Sequence, residues 1–138
     1  MEYGTDTTRA IMGVAFSGDA LRFPDIRFIL PHAGGTVPSL ADRIEAAART
    51  APASPDGLKA ALSHLHYDTA GAANRGALIS LQQLVSARQI VFGTDFPPGA
   101  TAAATAKSLV DTVPFSGDDL RAIEPDNAVR LLPRLAAG

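Results

Sequence analysis

The stretch Phe23-Pro24-Asp25-Ile26-Arg27-Phe28-Ile29-Leu30-Pro31-His32-Ala33-Gly34-Gly35 places a short, mostly apolar run between two turn signals. Ile26 to Leu30 follows Pro24-Asp25 and is too short for a helix that buries itself. It reads as a buried strand. A histidine stands directly beyond the end of that run, and two glycines follow it. Such a turn lets backbone approach closely and holds a side chain in a fixed direction.

Two further runs repeat this design downstream. Leu65 to Thr69 is a second strand, carrying Asp68 at its end and Gly71 just past it. Gln89 to Phe92 is a third, leading into Gly93-Thr94-Asp95-Phe96-Pro97-Pro98. Helical segments fill the intervals. The first runs from Thr7 and stops before Gly18, a residue suited to a helix end. Ser39 is expected to cap the next, with Asp42 as the capping-box acid and Leu40, Ile44 and Ala47 on its apolar face. Thr50 to Pro55 reads as a loop. A short helix follows from Pro55 to about Leu62, with Ser54 as its cap. Asn74 to Ala87 is helical, with Leu78, Leu81 and Val85 along one stripe. Ala102 to Val113, Ser116 to Ile123 and Asp126 to Leu132 complete the chain. Alternating strands and helices predict an α/β fold with parallel strands joined by crossover helices. Three strands alone leave two sheet edges open, which a closed barrel would not.

Composition narrows the function classes. The chain has 138 residues, 46% hydrophobic and 19% charged, with a net charge of −2. There is no basic stripe with interleaved aromatics, so nucleic acid is not an expected partner. No apolar run approaches the roughly 18 residues of a membrane span. Without cysteines, disulfides, thiolate metal sites and a cysteine nucleophile are all excluded. No signal peptide is read at the start, and a cytoplasmic location is the expectation.

Catalytic groups in parallel α/β folds gather beyond the C-terminal ends of the strands. His32, Asp68 and Asp95 stand there at similar offsets and should converge on one face. Each has two readings. His32 is either an acid/base, a role histidine suits near neutral pH, or a core histidine bonded to turn backbone. Asp95 is either a metal ligand or a turn aspartate before Pro97-Pro98. Asp68 acts directly or holds turn amides, the second reading being favoured. One imidazole and two carboxylates suit a divalent cation such as Zn²⁺ or Mn²⁺, although a metal needs more ligands than these. His64-Leu65-His66 spells His-x-His, but it lies at the beginning of a strand, away from that end. Asn127 reads as a helix-start residue.

The segments 23–38 and Gln89-Ile90-Val91-Phe92-Gly93-Thr94-Asp95-Phe96-Pro97 resemble the last strands of the amidohydrolase superfamily. They are most similar to its aminocarboxymuconate-semialdehyde decarboxylase-like branch. Asp6-Thr7-Thr8-Arg9-Ala10, Tyr67-Asp68-Thr69-Ala70 and Asn127-Ala128-Val129-Arg130-Leu131-Leu132 match in the same order. The resemblance implies that residues 1–138 are the C-terminal part, strands six to eight, of a metal-dependent TIM (β/α)8 barrel, with the N-terminal half missing. It implies Asp95 as a metal ligand, His32 as a catalytic acid/base, and a divalent metal ion, Zn or Mn. Arg43 stands where the decarboxylases carry an arginine that binds the substrate carboxylate in the neighbouring subunit, which implies a homodimer. The implied activity is decarboxylation of an aromatic or unsaturated carboxylic acid. Two alternatives stand beside it: hydrolysis of a lactone, ester or amide, with Asp95 taking a proton from water, and a fragment that is inactive alone. The family's strand-one His-x-His pair and its strand-five histidine are not among these residues.

Overall fold

In the computed structural model of the chain, residues 2–48, 57–112 and 115–137 are described. Three short strands form one parallel sheet in the order β1 (Ile29–Leu30), β2 (His66–Asp68), β3 (Ile90–Val91). Leu30 and Ile90 both lie beside Tyr67 in the register. These three face the helices and are buried. The opposite face carries Ile29, His66 and Asp68. Ile29 is exposed there, and His66 and Asp68 are half-buried.

Before β1 come α1 (Glu2–Ser17) and α2 (Asp19–Arg22). They are separated by Gly18 in the left-handed conformation, so the expected helix stop is where the sequence placed it. Then α3 (Val37–Ala48) and α4 (Leu58–Ser63) link β1 to β2, and α5 (Arg75–Gln82) links β2 to β3. Beyond β3 lie α6 (Ala102–Thr112), α7 (Gly117–Arg121) and α8 (Asn127–Leu131). The core joins Ile11, Ala15, Val37, Leu58, Leu62, Tyr67, Leu78, Leu81, Ile90, Leu109 and Ile123, so every crossover contributes to one cluster.

Several local expectations differ from the structure. The run from Ile26 is not all strand: the Ile26 amide donates to Phe23 O, closing a turn, and only Ile29–Leu30 pairs regularly. Helix α3 begins at Val37, so Ser39 lies inside it and caps nothing. Pro38 fits this start, because the first turn of a helix has no use for its missing N–H. Asp42 forms an ion pair with Lys59 at 2.6 Å instead of closing a capping box. The buried stripe of α3 is Val37 and Ala41, joined by Ile44 and Ala48, while Leu40 is exposed. The side chain of Ala47, the expected loop 50–55 with Ser54 and Pro55, and Val113 lie outside the described residues. The helix expected from Asn74 to Ala87 runs from Arg75 to Gln82; Asn74 caps it, accepting from the Ala77 amide at 3.1 Å.

Two backbone groups at the outer edge of β3 bond the chain's own C-terminal region. Between α7 and α8 the helix widens into a π turn, Ala122–Asp126, containing Pro125. The wider turn leaves the Ile123 carbonyl available, and it accepts the Phe92 amide at 3.0 Å. Asn127 is buried. Its side-chain amide donates to Ala87 O at 2.8 Å and Ile90 O at 2.6 Å. Arg130 donates to its Oδ1 at 2.7 Å. Asn127 starts α8, as expected, and its side chain holds a strand instead of capping the helix.

Candidate functional site

The three strands run parallel, so their C-terminal ends share one end of the sheet. His32 follows β1, Asp68 ends β2, and Asp95 lies on the loop after β3. The turn after β1 is tight. His32 (φ 57°) and Ala33 (φ 53°) are left-handed, as are Gly34 (φ 80°) and Gly35 (φ 62°). For a residue with a side chain, that conformation costs about 1–2 kcal/mol. Specific bonds hold the turn in place. Asp68 Oδ1 accepts the His32 amide at 2.8 Å and the Ala70 amide at 3.1 Å. The His32 ring meets the Ala70 carbonyl at 2.8 Å through Nδ1. A carbonyl only accepts, so Nδ1 carries the proton and Nε2 is left as the ring's free basic nitrogen.

Burial pushes the Asp68 carboxyl above the usual carboxylate range. The His32 and Ala70 amides and the charge of His32 pull it back, and the charge of Asp95 adds to the rise. His32 and Asp95 thus both act electrostatically on Asp68. Asp95 itself is exposed, with φ 60°, and its carbonyl accepts the Gly99 amide at 2.6 Å. Arg43 is exposed on α3, and among the described residues no hydrogen bond or ion pair ties it to His32, Asp68 or Asp95.

Sequence reasoning missed Thr69. It is fully buried, donates to Gly93 O at 2.9 Å and accepts the Gly93 amide at 3.0 Å. This pair fastens the end of β2 to the loop that carries Asp95. Gly93 suits this close approach, since a Cβ would stand 3.2 Å from the Asp68 Cβ. The one available signal was a hydroxyl residue next to Asp68 at a strand end, and hydroxyls at such ends commonly bond backbone.

His64 and His66 stand at the other end of the sheet. His64 is exposed at the end of α4, and His66 begins β2. The Nδ1 of His66 is buried with no hydrogen-bond partner. Burial, then the charges of Arg27 and Arg130, hold its imidazole below the ordinary histidine range.

Among the described residues, no group of three or more His, Asp or Glu side chains is placed to hold a metal ion. Asp68 Oδ1 is already committed to two amides, which leaves the exposed Asp95 carboxylate as the oxygen donor best suited to a hard divalent cation. The donor type fits such an ion.

A model of the amidohydrolase family matches residues 3–134. The chain is 30% identical over 139 residues to a 6-methylsalicylic acid decarboxylase of Penicillium expansum, an alignment covering 97% of this chain and 43% of that protein. Its fold matches a crystal structure of an amidohydrolase II with a TM-score of 0.82 and 27% identity, covering 94% of this chain and 42% of the other. It also matches a dihydroxybenzoic acid decarboxylase from Polaromonas sp. JS666, crystallised with manganese and an inhibitor. There the TM-score is 0.76 and the identity 23%, over 93% of this chain and 40% of the other. The chain spans about two fifths of the length of the relatives it matches.

Proposed function

The chain belongs to the amidohydrolase family, and from that premise we propose that it supplies strands six to eight of a (β/α)8 barrel in a metal-dependent decarboxylase. The substrate is an aromatic or unsaturated carboxylic acid. The observation that carries this reading is the His32 turn. An imidazole fixed by Asp68 and Ala70 presents Nε2 at the C-terminal end of a parallel sheet. The similarity to a decarboxylase over nearly the whole chain supports it.

In decarboxylation the bond between the substrate carbon and its carboxylate breaks. The electron pair stays on carbon, CO₂ leaves, and a proton takes its place. His32 first takes up a proton from solvent on its free Nε2 and delivers it to that carbon, while Nδ1–H stays bonded to Ala70 and keeps the ring from turning. Asp95 is a ligand of a divalent cation, Mn²⁺ or Zn²⁺. Such an ion, when bound, supplies positive charge against the substrate's carboxylate or a neighbouring hydroxyl. Thr69 and Gly93 keep the Asp95 loop in place. The exposed Arg43 grips the substrate carboxylate of a second subunit, as a planar guanidinium does bidentately, so the working form is a homodimer. No helix among the described residues is long and apolar enough to cross a membrane, and we place the enzyme in the cytoplasm.

Metal content tests the assignment. The protein is expressed from its complete gene, and manganese and zinc are measured by mass spectrometry. About one ion per chain is expected. Asp95→Ala should lose it, and His32→Gln should keep it. Full metal content in Asp95→Ala would contradict the reading.

A further inference from the structure

We propose that Asp68 is a positioning residue that fixes the tautomer of His32. The inference rests on the reading of His32 as the acid/base, and it adds the residue that makes that role possible. Asp68 Oδ1 joins the His32 amide (2.8 Å) and the Ala70 amide (3.1 Å). The Ala70 carbonyl then receives the His32 ring at 2.8 Å. These three bonds form one closed loop connecting the ends of β1 and β2. One oxygen thereby sets both the backbone from which the imidazole projects and the carbonyl against which it rests.

The strained geometry points the same way. His32 and Ala33 are both left-handed, and such residues persist only where surrounding bonds over-determine them. The bonds that do so here come from Asp68, on a different strand. Gly71 completes the arrangement: a Cβ there would lie 3.5 Å from His32 Nδ1, so the loop after Ala70 passes close beside the ring. Free histidine favours the Nε2–H form when neutral. The Asp68 clasp reverses that preference and leaves Nε2 without a proton on the side away from Ala70. Asp68 touches no reacting atom in this scheme and acts through His32.

The test is nitrogen NMR of the imidazoles on this chain, recorded above about pH 8, where an ordinary histidine is neutral. His32 is expected as the Nδ1–H tautomer. In Asp68→Ala it should revert to mainly Nε2–H. Asp68→Asn keeps the shape of the clasp but removes its charge. The His32 and Ala70 amide protons should then move upfield together and exchange faster with solvent. That variant decides the matter if Asp68→Ala does not fold. A wild-type His32 that is mainly Nε2–H would overturn the proposal, as would amide signals that ignore Asp68→Asn. These readouts are independent of turnover. If the clasp is found and the complete protein still releases no CO₂, the functional reading fails while the positioning role stands.

Discussion

Replacing Asn127 should show how strongly the C-terminal region holds the strand that leads to Asp95. The side chain is 1% exposed and gives two N–H bonds to backbone carbonyls, Ala87 O and Ile90 O. Asn127→Asp preserves size but turns both contacts into oxygen facing oxygen. Losing two bonds removes roughly 2 kcal/mol, and leaving buried carbonyls unpaired adds about 1–3 kcal/mol. Arg130, which already reaches Oδ1, offsets part of the new charge. A net loss of about 3 kcal/mol is expected, a large share of a stability that is typically about 5–15 kcal/mol. For a chain of this size the melting midpoint should fall by roughly 10 °C. Urea unfolding followed by circular dichroism measures the loss, with Arg130→Gln as the control, expected within about 1 kcal/mol of wild type. An Asn127→Asp protein within about 0.5 kcal/mol of wild type would refute the claim that the two donated bonds secure β3.

Tyr67→Phe should cost about 1–2 kcal/mol in the same assay, because the buried Tyr67 hydroxyl donates to Leu62 O at 2.9 Å; unchanged stability would count against that bond. Gly34→Ala should cost more, about 2–4 kcal/mol, since Gly34 has φ +80° and a Cβ there would stand 2.9 Å from the Tyr67 ring. The expected sign is loss, and a neutral result would show that the turn relaxes freely. His66 brings a pH effect. Its folded imidazole is held below the ordinary range by burial and by Arg27 and Arg130, so the unfolded chain takes up its proton first. Its contribution to stability is complete above about pH 6.5 and is lost as pH falls below that value. Urea midpoints should therefore fall less steeply between about pH 6.5 and 5 in His66→Leu than in wild type, and parallel curves would rule His66 out as the source.

Much of the fold was legible because Gly and Pro mark the ends of the apolar runs. The three strands and the stop at Gly18 follow from local signals that act within a few residues. Strand ends did not follow, since two or three paired residues suffice where the helices bury the other side. Ser39 looked like a cap because it precedes an acid at the right spacing. The helix had already started at Val37, two residues earlier. At the candidate site, the placement of His32, Asp68 and Asp95 at or beyond the strand ends was legible from their offsets. Their linkage was not, because it joins residues far apart in sequence, His32 with Asp68 and Thr69 with Gly93. The π turn at Pro125 was equally hidden, as its value lies in a carbonyl offered to Phe92. Two neighbouring left-handed residues without glycine, His32 and Ala33, contradict local preference. They are held by contacts that only the folded chain provides.

The most direct test is release of labelled CO₂ from a hydroxybenzoic acid carrying ¹³C in its carboxylate. The protein is made from its complete gene, loaded with manganese or zinc, and compared with its His32→Gln variant. The expected result is bicarbonate and the decarboxylated phenol, with the rate falling about 10²- to 10⁴-fold in the variant while metal content holds. The contradictory result is no CO₂ from any such acid together with ring opening of a lactone, or CO₂ release that His32→Gln leaves intact.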